Sequence, residues 1–119
     1  MLWWFNGDAA LSAVARAAIE PEDNQVFVSA ASAMEVSTKF RIGKLPQAGA
    51  LAARFEEMAL NQGFFPLSIS IAHAALGGRL PIDHKDPFDR LLIAQALLEG
   101  MTLVSNETRF DEAGVSRLW

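Results

Sequence analysis

The chain has no cysteine. Disulfides, thiolate nucleophiles, thiolate-ligated zinc and iron–sulfur clusters are therefore excluded, and a reducing, cytoplasmic setting is expected. Long apolar runs are also missing. The opening Met1-Leu2-Trp3-Trp4-Phe5 breaks at Asn6-Gly7-Asp8, and the stretch from Leu91 to Leu98 is interrupted by Gln95. Neither suits a signal-peptide core or a bilayer span, so no membrane partner is expected. Positive charge is in short supply as well: Lys and Arg total 10 against 14 Asp and Glu, a net charge of −4. A protein that grips nucleic acid through a broad basic face needs the opposite balance, so any polyanion contact has to be local. The acids are available instead to face a divalent cation, which would reverse the local charge and admit a phosphate. No GxSxG elbow, serine–histidine–carboxylate pattern or phosphate-binding glycine loop occurs, which removes serine-hydrolase and P-loop readings.

What remains is a chain of 119 residues, 51% of them apolar. That is enough for one modest core and too little for two ordinary domains, so a single domain over 1–119 is expected. Ser12 begins a short helix through Glu20, Gln25 to Val28 reads as a strand, and Ser29 caps a helix that stops at Gly43. A third amphipathic segment spans about Ala48 to Gln62. Phe64 to Ile69 reads as a strand with Pro66 pointing to an edge, and Ser70 caps a helix whose end Gly77-Gly78 weakens. Asp86-Pro87-Phe88-Asp89 opens the clearest helix, which Gly100 closes. Met101 to Ser105 is then a strand, Glu107 to Glu112 a helical turn, and Val115 to Trp119 a last strand. Short apolar strands alternating with helices indicate an α/β domain with a mainly parallel central sheet. Reactive groups in such sheets gather beyond the carboxyl ends of the strands, where Ser29, Ser70 and Ser105 fall.

Three acidic positions lie near that rim. Glu35 sits in the second turn of its helix, with Lys39 four residues on, so a surface ion pair of a few tenths of a kcal/mol is one reading. Asp86 and Asp89 open another helix, and capping suffices to explain Asp86. Glu107 follows a strand end. If Glu35, Asp89 and Glu107 converge within roughly 5 Å, each like-charged pair costs about 3 kcal/mol at an effective dielectric near 20. Magnesium or manganese would relieve that repulsion and assist phosphodiester hydrolysis. Asn106, Ser105 and Asp86 are possible additional ligands. Lys85 and Arg90 head the candidate phosphate contacts, with Arg41, Lys44, Arg79 and Arg109 beside them. His73 reads as a satisfied, half-buried side chain and His84 as a solvated loop residue that could touch RNA.

Taken together, Trp3 to Asp8, Val28 to Glu35, Gly43-Lys44-Leu45, Asp86 to Ala96 and Leu103 to Glu107 closely resemble PIN-domain toxins of the VapC family, over essentially the whole chain. That resemblance implies a three-layer PIN-like fold. It also implies a magnesium- or manganese-dependent endoribonuclease acting on RNA, often tRNA. Such a toxin is usually dimeric and is inhibited by a VapB-like antitoxin. It assigns Glu35, Asp89 and Glu107 as the acids, although the last position is commonly aspartate, so Asn106 shares its role. Family members carry an apolar first strand ending in Asp-Thr-His ahead of the Leu-Trp-Trp segment, and Met1 stands where that lead-in should continue. Such a strand of four or five buried residues, at about 1.5–3 kcal/mol each, is worth on the order of 5–10 kcal/mol. The natural product is therefore expected to begin upstream, with its aspartate as a further ligand. The alternatives are a catalytically impaired remnant that only binds its antitoxin or a sister subunit, and an unrelated α/β receiver domain. The receiver needs an aspartate directly at a strand end, where this chain has serines.

Overall fold

The computed structural model describes residues 25–104 and 108–118. The expected helix from Ser12 to Glu20 and the apolar opening lie outside the described residues. The chain divides into two compact units, Met1–Ser68 and Ile69–Trp119.

In the first unit, strand β1 (Phe27–Ser29) leads directly into helix α1 (Ala30–Arg41). Ser29 makes the transition, because its extended backbone lets Oγ accept from the Ala31 amide at 3.0 Å and satisfy an otherwise unpaired helix donor. A 3-10 turn (Pro46–Ala48), helix α2 (Gly49–Ala53) and helix α3 (Phe55–Asn61) follow. The single helix expected from Ala48 to Gln62 is thus broken at Arg54, whose backbone leaves helical geometry at φ −133° and ψ 37°. Its guanidinium reaches Glu57 in the first turn of α3 at 2.9 and 2.6 Å. With Glu56 and Glu57 both in that turn, negative charge lies at a helix N-terminus, where the dipole favours it. Strand β2 (Phe65–Leu67) then returns to pair with β1 in parallel register, Phe27 opposite Phe65, Val28 opposite Pro66 and Ser29 opposite Leu67. Pro66 has no amide to donate, and β2 has β1 as its one neighbour among the described residues, as an edge strand should. Val36, Ala48 and Leu51 form the core here, with Phe55 and Met58 against it.

The second unit opens with helix α4 (Ile71–Arg79), capped by Ser70. His73 completes a reciprocal capping box, since its Nδ1 accepts from the Ser70 amide at 2.9 Å while the Ser70 hydroxyl accepts from the His73 amide at 3.1 Å. The ring is buried, with Nε2 at 3.3 Å from Glu99, so it is the satisfied histidine expected. Helix α5 (Pro87–Glu99) packs along α4. The helices approach closely at Gly77, where a Cβ would lie 3.3 Å from the Arg90 carbonyl oxygen. The glycines expected to weaken the end of α4 therefore include one that permits helix contact. Gly100 ends α5 in the left-handed region at φ +63°.

Strand β3 (Leu103–Val104), a 3-10 helix (Thr108–Ala113) and strand β4 (Arg117–Leu118) complete the unit, with β3 and β4 also parallel. Leu80, Ile93, Ala96, Phe110 and Val115 form its core. Among the described residues both strand pairings are parallel, in keeping with the α/β class.

Candidate active site

The best-defined acidic position is the start of α5. Asp86 has an extended backbone, and its Oδ1 accepts from the Phe88 amide at 2.9 Å and the Asp89 amide at 3.2 Å. Pro87 sits at the first helical position, where its missing N–H costs nothing and its fixed φ suits the turn. Asp86 is thus the cap that its sequence context suggested. Asp89, one turn in, lies where the helix dipole favours negative charge. Its Oδ2 is 2.6 Å from His84 Nε2. The Asp89 side chain is 21% exposed and that of His84 only 9%.

His84 therefore departs from the solvated loop residue expected. Its ring stands edge-on to Phe110, with centroids 6.0 Å apart. Because a carboxylate only accepts, Nε2 must carry the proton toward Asp89, which leaves Nδ1 as a lone pair in the neutral ring. Nδ1 is buried without a hydrogen-bond partner among the described residues. Such an unmet polar atom costs about 1–3 kcal/mol. Sequence reasoning missed this contact because it depends on how the connection before α5 folds back. The available signal was a histidine five residues before an acid in the first turn of a strongly capped helix.

Arg90 also departs from expectation. Nε donates to the Gly77 carbonyl at 2.8 Å, and Nη1 donates to Ile82 at 3.1 Å and His84 at 2.8 Å. Nη2 donates to Gly78 at 3.3 Å and Leu80 at 2.7 Å. A guanidinium has five N–H donors, and these five bonds engage all of them. Arg90, read from the sequence as a candidate phosphate contact, here clasps the end of α4 and the following connection to α5. Lys85, Arg41, Lys44 and Arg79 are exposed.

In the first unit Glu35 projects from the second turn of α1. Its Oε2 pairs with Lys39 Nζ at 2.9 Å, the i,i+4 ion pair weighed from the sequence, and its side chain is 17% exposed. Glu35 and Asp89 belong to different compact units. Ser105, Asn106 and Glu107 lie outside the described residues. Among the described residues no group of three or more His, Cys, Asp or Glu side chains could hold a metal ion. The individual donors still have suitable chemistry for magnesium or manganese, because both Glu35 and Asp89 are carboxylates whose side chains keep some exposure.

Parallel strand pairs joined through helices, with acids following a strand and opening a buried helix, define a class that comparison with known proteins makes specific. The PIN domain model matches residues 1–115, and the chain belongs to that family. The match runs across both compact units. The chain is also similar to ribonuclease VapC16 of Mycobacterium tuberculosis (strain ATCC 25618 / H37Rv), at 37% identity over 60 residues. That alignment covers 50% of this chain and 43% of the relative, less than half its length. No solved structure matches significantly. No helix among the described residues is long and apolar enough to cross a membrane.

Proposed function

We propose that the chain is a magnesium- or manganese-dependent endoribonuclease of the VapC toxin kind, cytoplasmic and dimeric, neutralised by a VapB-like antitoxin. Its substrate is RNA, with tRNA the leading class. The observation that carries this reading is the family match over residues 1–115, and the likeness to a ribonuclease supports it. Glu35, Asp89 and Glu107 are the proposed carboxylates for the ion, with Ser105 and Asn106 beside Glu107. A bound divalent ion would supply an activated water and stabilise charge building on the phosphoryl oxygens. This chain's own residues hold acid in place: the capped N-terminus of α5 fixes the Asp89 backbone, and His84 holds one carboxylate oxygen. Exposed Lys85, in the connection just before α5, is the proposed phosphate contact.

The test is cleavage of total RNA by purified chain with magnesium, with manganese, and with chelator. Cleavage should need the ion. Asp89→Asn should reduce it by more than the roughly 10–100-fold that outer partners of a metal site cost. Ion-independent cleavage, or full activity in Asp89→Asn, contradicts the proposal.

A second reading is a PIN module that binds its antitoxin or a sister subunit without cutting RNA; the Glu35–Lys39 pair accords with the absence of cutting, because it gives Glu35 a cation of its own. Such a module would bind an antitoxin while showing neither specific ion binding nor cleavage.

A further inference from the structure

A short contact in the second unit joins His84 Nε2 to Asp89 Oδ2 at 2.6 Å. The histidine is fixed from its other sides. Its carbonyl accepts from Arg90 Nη1 at 2.8 Å, and its ring is shielded edge-on by Phe110. Nδ1 has no partner among the described residues, so the hydrogen bond that orients the imidazole is the one to Asp89. On the acid's side, the Asp86 cap engages the Asp89 amide, and His84 engages its carboxylate.

We propose that His84 is a positioning residue, whose Nε2–H pins the Asp89 carboxylate in one orientation for a hard divalent cation. This inference rests on the reading of Asp89 as a metal carboxylate and adds a residue to it. Outer partners that hydrogen-bond ligating carboxylates orient them and raise affinity. Arg90 supports the arrangement at one remove by holding the backbone that carries His84.

Manganese titration of the full chain by calorimetry provides the test, with unchanged circular dichroism as a check on folding. His84→Leu keeps bulk but removes the donor, and should weaken manganese binding about 10–100-fold. His84→Gln offers an amide N–H near the position of Nε2 and should recover most of the affinity, which a pure packing role would not give. A readout without metal is the imidazole nitrogen spectrum of the chelated chain: the ring should carry its proton on Nε2, with a resonance that shifts in Asp89→Asn.

Folded His84→Leu that binds manganese like the parent, while Asp89→Asn does not, would overturn the positioning role and leave Asp89 as a ligand. A ring protonated on Nδ1 alone in the chelated chain would also overturn it. If the parent and Asp89→Asn bind manganese equally, or neither binds, the metal reading of Asp89 fails and this inference falls with it. If His84→Leu does not fold, His84→Gln and the nitrogen spectrum still decide.

Discussion

Arg90 donates through Nη2 to the Leu80 carbonyl oxygen at 2.7 Å, and its other donors bind four more carbonyls between Gly77 and His84. Lysine cannot reproduce this pattern, because three donors on a single nitrogen do not match a planar fork. Arg90→Lys should lower unfolding stability by about 1–3 kcal/mol through unmet carbonyls. Urea denaturation measures this. A variant as stable as the parent but weaker in RNA binding would return Arg90 to the phosphate contacts.

Asp86 separates capping from chemistry in another way. Asp86→Ala should cost about 1 kcal/mol, whereas Asp86→Asn, itself a good cap, should stay close to parent stability. If capping is its whole role, Asp86→Asn also keeps full RNA cleavage. Loss of cleavage without loss of stability would instead make Asp86 a ligand.

Glu35 and Asp89 are proposed to serve one ion, and a double-mutant cycle tests that directly. Glu35→Gln and Asp89→Asn should each remove most cleavage, and the double variant should lose little more than either alone, since groups acting as a unit are not additive. Multiplying losses would mean independent roles.

Asp111 supplies a pH dependence. Arg117 donates to it at 2.8 and 3.2 Å, and that hydrogen bonding holds its carboxyl below the ordinary aspartate range. A carboxyl depressed in the folded state stabilises it at pH values above its unfolded pKa, and that contribution disappears as pH falls through the folded one. Asp111→Asn should therefore melt below the parent at neutral pH, with the difference closing in acid. The pair is exposed, so the effect is small. Melts at pH 7 and pH 2.5 make the comparison, and a gap that widens in acid contradicts it.

The parts of the fold legible in the sequence were those written locally. Ser29, Ser70 and Asp86 cap their helices through bonds within three residues, and Gly100 adopts the positive φ that its place after a helix suggested. The break at Arg54 is less visible because the apolar spacing continues through it, and the exposed pair with Glu57 found there is too weak a signal to mark it. At the candidate site, the identity of Asp89 and its place in a first turn were legible, and its partner was not. His84 and Arg90 acquire their roles from the path of the connection before α5, and a residue-by-residue reading treats both as polar surface. The pairing of Glu35 with Lys39 was anticipated from their four-residue spacing.

Surface connections ordinarily accept an extra residue at little cost, because lengthening a loop changes its closure entropy only slowly. The stretch between α4 and α5 is different. One guanidinium reads carbonyls at Gly77, Gly78, Leu80, Ile82 and His84 in a single plane of donors. An insertion between Leu80 and His84 would put later carbonyls out of step with the fork and carry the imidazole away from its acid. Chain length there is consequently as restricted as residue type, and a loop that looks dispensable functions as a ruler.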